Sequence, residues 1–168
     1  MGALITEIKD ALLHKLLYAA LLLTLTLPDI CAALESQDGR STPARYKAWF
    51  NSWLRKKYEG QLDAEDMYRL RCAVSHQGRF EHPGMKYERI FFTLRPNGMF
   101  FHKNELPGVH KDGLNLDIVF FCKDVVESVE AWFAQKESDP QVQENLSRLV
   151  QFHPNGLSPY LEGVPAIG

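Results

Sequence analysis

The stretch Leu16 to Leu27, LLYAALLLTLTL, runs straight into Pro28, and this apolar segment with an abrupt stop constrains the chain more than any other feature. A spanning helix needs about 20 predominantly apolar residues. This run is shorter, and His14 and Lys15 stand just before it. Glu7 and Asp10 lie upstream, where a secretory leader carries a clean positive region. Three readings follow: the buried helix of a globular core, the apolar region of a signal peptide, or a membrane anchor. The first is the expectation, with no membrane partner, and Met1 at the start fits an unprocessed chain.

A helix apolar on nearly all sides must be covered on nearly all sides. The 168 residues suffice for one domain with a real core, and 45% hydrophobic with 24% charged residues is an ordinary globular balance. The net charge of −2 gives no general attraction to nucleic acid, so binding of RNA or DNA requires a local basic patch. Cys31, Cys72 and Cys122 are odd in number and widely spaced, which suits a reducing cytoplasm better than a disulfide framework.

The first helix is expected over Ala3 to Leu27, because proline disfavours helix at the residue before it. Asp29 then caps a short second helix, Ile30 to Leu34. Ser36 to Thr42 reads as a loop, with Ser41 or Thr42 as N-cap and Pro43 in the first turn of the next helix. In ARYKAWFNSWLRKKY, Tyr46, Trp49, Phe50, Trp53 and Leu54 form one apolar face, and Gly60 ends the segment. Asp63 caps a fourth helix whose core stripe is Met67, Leu70 and Val74, with Gly78 as a left-handed terminator.

After Pro83-Gly84 the pattern changes to aromatic and β-branched residues. YERIFFTL and MFFHKN flank a Pro-Asn-Gly turn, which predicts a β-hairpin from Glu88 to Asn104, and Leu114 to Phe121 adds a third strand. Helix returns with Phe121, Val125, Val129, Trp132 and Phe133 on one face, and a last helix spans Val142 to Phe152. The tail is loop-like. The expected fold is mainly α: one domain over 1–168, a bundle of four to five helices with a small β-hairpin or three-stranded sheet inserted near 86–120.

The chemistry-bearing stretch is YRLRCAVSHQGRF, Tyr68 to Phe80. A histidine exchanges protons near neutral pH, and an arginine's planar fork matches phosphate oxygens. Arg71 and His76, with Arg69 close by, therefore suit phosphoryl chemistry without a metal or cofactor. The plainer alternative makes Arg69 and Arg71 helix-surface charges paired with Glu65 and Asp66, and His76 a cap on carbonyls at the helix end. Arg71 pairing with a carboxylate at the core edge belongs to the same reading. Five residues along an ideal helix is roughly 140° of rotation, so Arg71 and His76 are expected to point apart. A loosened last turn, or a twofold axis bringing two helices together, is then needed to make them one site.

RCAVSHQG resembles the R-x4-H signature of the HEPN superfamily, and the likeness extends loosely to the flanking helices, about two-thirds of the chain. The resemblance implies an α-helical bundle and a homodimer whose two motifs line a shared cleft. It further implies a metal-independent endoribonuclease, a hydrolase of toxin–antitoxin, phage-defence or RNA-processing systems. RNA is then the substrate, and a cognate antitoxin or other partner protein is expected. Arg71 takes the role of phosphate-stabilising residue, His76 that of proton-transfer residue, and Arg69 is a substitute for Arg71. Cys72 stands where active members commonly carry a polar residue, which favours the alternative of a non-catalytic binding or scaffold module using the same cleft. Gly78 stands where nucleotidylated members carry tyrosine, so that regulation is not implied.

Arg55, Lys56 and Lys57 are the candidate RNA-binding residues on the basic aromatic helix, the alternative being a solvated face over a core stripe. His102 and His110 flank a loop with Glu105 and Asp112, but the spacing matches no metal-site type, and no metal is expected. Ser75 lacks a triad, and neither a nucleophile elbow nor a Gly-rich phosphate loop is present.

Overall fold

A computed structural model describes residues 1–94 and 101–168. Among them, six α-helices and one three-stranded sheet build a mainly helical fold, as the hydrophobic patterning predicts.

The N-terminal apolar region folds as two helices. α1 covers Gly2–Leu13 and α2 covers Leu17–Leu34. The break that separates them is a left-handed turn at Lys15 (φ 57°), with Leu16 N–H bonded to the Ala11 carbonyl at 2.7 Å and Lys15 N–H to that of Leu12 at 3.1 Å. This is a Schellman ending carried by a lysine instead of the usual glycine. The expected stop at Pro28 does not occur, because α2 continues through it and takes in the separate short helix assigned to Ile30–Leu34. An interior proline costs about 3 kcal/mol. Burial of Leu25, Leu27, Pro28, Cys31, Ala32 and Leu34 outweighs that cost. Leu17–Leu34 is long and apolar enough to cross a membrane, and half of it is buried here. It packs against α1 and against four further helices described next.

α3, Pro43–Trp53, begins as predicted: the Thr42 side chain accepts from Arg45 N–H at 3.2 Å, and Pro43 occupies the first position. Tyr46, Trp49 and Phe50 are buried from this helix. A single 3₁₀ turn, Arg55–Lys57, follows it. α4, Ala64–Gln77, is capped by Asp63, which accepts from Asp66 N–H at 2.8 Å, and Gly78 ends it at φ 63°. Met67, Leu70 and Val74 are buried as the periodicity requires.

The sheet contains β1 (Ile90–Thr93), β2 (Asn104–Leu106) and β3 (Gly113–Asp117) in the order β1-β3-β2. β3 is wholly buried, parallel to β1 and antiparallel to β2. The Pro-Asn-Gly turn lies outside the described residues. The segments on its two sides do not pair as the expected hairpin, since β3 stands between them. Burial along its whole length fits a central strand covered on both faces.

Strand passes to helix without a loop. Asp117 ends β3 and caps α5, Ile118–Lys136, accepting from Val119 N–H at 2.9 Å and Phe120 N–H at 3.1 Å. Phe121, Val125, Val129 and Trp132 line its buried face. α6 is the short Pro140–Leu146, ending well before the predicted Phe152. From it, the buried Asn145 amide donates to the carbonyls of Leu34 (3.0 Å) and Ser36 (2.7 Å), closing the end of α2. The tail forms two short antiparallel pairs, Phe152–His153 with Ala166–Ile167 and Gly156–Leu157 with Leu161–Glu162.

Candidate functional site

α2, the Ser41 loop, α3 and α4 meet around Arg71. Its Nε lies 2.5 Å from Oδ2 of Asp29, a residue of α2 directly after Pro28. The contact is an ion pair by distance without hydrogen-bond alignment. Both side chains are largely covered, 21% exposed for Arg71 and 15% for Asp29, so the pair is shielded far more than a surface pair. Ser41 Oγ donates to the other Asp29 oxygen at 2.7 Å. Asp29 is thus a tertiary anchor, where the sequence suggested a helix cap.

The anchored guanidinium reaches toward the end of α4. Nη1 of Arg71 is 3.4 Å from Nε2 of His76 and 3.8 Å from Sγ of Cys72. The two side chains meet within one chain, although their Cβ directions diverge and the last turn stays helical. The long arginine stem, tilted by Asp29, makes up the difference. An arginine can only donate, so a hydrogen bond here takes His76 Nε2 as its acceptor. His76 is exposed, and Arg71 Nη2 makes no hydrogen bond among the described residues. An exposed imidazole and a largely covered guanidinium therefore stand side by side at the end of α4.

Beneath them, Tyr46 is fully buried, with no hydrogen-bond partner for its hydroxyl among the described residues. Burial and then the Asp29 charge push its pKa well up. Tyr68 packs edge-on against it, ring centroids 5.4 Å apart. Burial also opposes the charge on Arg71, but Asp29 and Cys72 together more than offset it, and the guanidinium pKa is raised.

Arg69 turns elsewhere. Its Nε pairs with Glu65 at 2.8 Å, and Nη1 donates to the Pro83 carbonyl at 3.0 Å, fastening the 82–84 turn to α4. Glu65, held also by Lys47, has its pKa lowered by the two cations. Of the basic run, Arg55 and Lys56 are exposed, whereas Lys57 is tied to α5 through Glu127 (2.5 Å) and Asp124 (3.3 Å). Burial opposes the Lys57 charge, and these carboxylates overcome it, leaving its pKa raised.

A second polar cluster escaped sequence reasoning. His102 is buried, accepts Asp117 N–H on Nδ1 at 3.0 Å, and places Nε2 3.7 Å from Asp124. Lys103 stands 3.5 Å from the same carboxylate and lies over the Tyr58 ring. Burial raises the Asp124 pKa, but His102, Lys103, Lys57 and Tyr58 together hold it down at about 2. The signal was a charged residue on the inner side of α5, adjacent to Val125. His110 is exposed and separate from this cluster, and no group of three or more His, Cys, Asp or Glu able to hold a metal occurs among the described residues.

No protein family, curated protein or solved structure matches the chain.

Proposed function

We propose that the Arg71–His76 edge is the active site of a metal-independent endoribonuclease of the HEPN type, working as a homodimer. The observation that carries this reading is the 3.4 Å approach of Arg71 Nη1 to His76 Nε2. In the reaction, His76 Nε2 takes the proton of a ribose 2′-hydroxyl as its oxygen attacks the adjacent phosphorus. Arg71 holds the charge that develops on the non-bridging oxygens. The 5′-oxygen of the next nucleotide leaves with a proton supplied by an acid, for which the second subunit's copy of the same pair is available. The products carry a 2′,3′-cyclic phosphate and a 5′-hydroxyl. The chain need supply no more than an acid, a base and a cation.

The 2.5 Å Asp29 contact favours a second reading, in which the same edge belongs to a non-catalytic binding or scaffold module. There the arginine's charge is spent on holding α2 to α4, and Cys72 beside it brings no polar group of the usual kind. Incubation of the purified protein with single-stranded RNA in EDTA separates the two. The nuclease reading expects cyclic-phosphate ends, lost in His76→Ala and in Arg71→Ala while the helical circular dichroism persists. Equal cleavage by wild type and both variants would sink it, and no cleavage by wild type would leave the binding module standing.

A further inference from the structure

Immediately past His76 the surface opens into a groove of about 530 Å³ that starts at Gln77 and runs between the 79–88 segment and the loop carrying His110 and Lys111. Its charges are unevenly neutralised. Glu81 is ion-paired to Arg89, and this removes one carboxylate from play. Arg79 has no side-chain hydrogen bond or ion pair among the described residues, and His110 has none either. Among the described residues, Lys111 Nζ reaches only a backbone carbonyl, that of Met85, at 3.4 Å. His82 Nδ1 donates to the Pro83 carbonyl at 2.8 Å, and its Nε2 makes no hydrogen bond among the described residues. Glu88 is the lining carboxylate with no ion pair among the described residues.

Unpaired cations along a groove are expensive only if nothing anionic comes to them, and a polyanion gains by displacing their counterions. We infer that this groove is the backbone track for single-stranded RNA, taking successive phosphates on Arg79 and Lys111, with His82 and His110 as polar neighbours, as the strand leaves the Arg71–His76 edge. The inference rests on the nuclease reading for the identity of the ligand. The groove is lined by the end of α4, the 79–88 segment and the loop with His110 and Lys111, and its imidazoles offer flat faces to unstacked bases. Glu88 tempers the groove: its removal strengthens the track.

The test uses the full chain carrying His76→Ala, so that RNA survives the measurement, and a fluorescently labelled single-stranded RNA of about 12 nucleotides read by anisotropy. Adding Arg79→Ala and Lys111→Ala together weakens binding about tenfold at low salt. It also flattens the log–log salt dependence by about 1.4, that is, about 0.7 for each phosphate of a single strand that is no longer neutralised. Adding Glu88→Gln tightens binding about threefold instead. In the otherwise wild-type chain, the Arg79/Lys111 double variant raises KM with little change in kcat, because the phosphate interaction it removes serves ground and transition states alike. RNA binding that stays at the His76→Ala level in both groove variants overturns the track and leaves the nuclease reading intact. Absence of both binding and cleavage in wild type overturns the two together. Equal competition by duplex DNA of the same length overturns the single-strand assignment.

Discussion

Asp29 Oδ2 stands 2.5 Å from Arg71 Nε, and through that contact a helix of the apolar core sets the direction of a largely covered arginine. Without the carboxylate, nothing turns the guanidinium toward His76 in preference to solvent.

Arg71→Gln is therefore expected to cost about 2 kcal/mol, because it leaves the largely covered Asp29 charge without its cation. Adding Asp29→Asn recovers part of that loss, since the stranded charge disappears with its partner. Urea denaturation of the two single variants and the double gives the coupling directly. Asp29→Asn alone keeps the shape of the side chain but releases Arg71, and RNA cleavage should fall about 10²-fold with folding intact. Cleavage at the wild-type rate in Asp29→Asn shows that the contact does not position the arginine.

Acid should loosen the contact between α5 and the Lys57–His102 region before it reaches the rest of the fold. The Asp124 pKa is held at about 2, below the ordinary carboxylate value of about 4. A lowered carboxylate pKa contributes stability that is complete above the unfolded value and is lost as pH falls through the folded one. The window is thus about pH 4 to 2, and the loss is about 1–2 kcal/mol. Asp124→Asn removes that dependence: its denaturation midpoint falls at pH 7 but changes less than wild type's between pH 4 and 2. Parallel wild-type and variant curves over that interval count against the assignment.

Gly84 lies at φ 87°, and a Cβ there would meet Arg69 Nη1 at 1.7 Å. Gly84→Ala should destabilise by more than about 1 kcal/mol, part of it from the backbone and part from displacing the guanidinium. In an Arg69→Ala background only the backbone part remains, so the same substitution costs less. A thermal-melt cycle of the four proteins measures the difference, and additivity would mean that Arg69 and Gly84 do not share the space.

Local signals are legible in the sequence, and long-range ones are not. Thr42, Asp63 and Gly78 act as the caps their chemistry dictates, because a cap is decided within one helical turn. Periodicity alone places Met67, Leu70 and Val74 in the core. Lys15 defeats the same logic, since a left-handed ending on a non-glycine residue is imposed by the packing of α1 on α2. Pro28 signals a stop because its local cost is fixed, while the burial that overrides it belongs to distant helices. The sheet departs from expectation for a similar reason: β1 takes a parallel partner, β3, that lies beyond β2 in the chain, and no turn signal announces such a pairing. Arg71 and His76 stand out by type and spacing, but Cβ directions alone misjudge the angle between them. The missing element is Asp29, a carboxylate whose partner lies on another helix.

The amide of Asn145 closes the end of α2 across a separation of 111 residues to Leu34, and Trp132 reaches Glu35 across 97. A ribosome releases the α2 partners long before the residues that fasten them. Through most of synthesis, the carboxyl-terminal half of α2, with Asp29 on it, waits with an open end. Its end gains that last fastening when α6 has emerged. A chain that stops before α6 thus lacks the Asn145 closure at the end of the helix that carries Asp29.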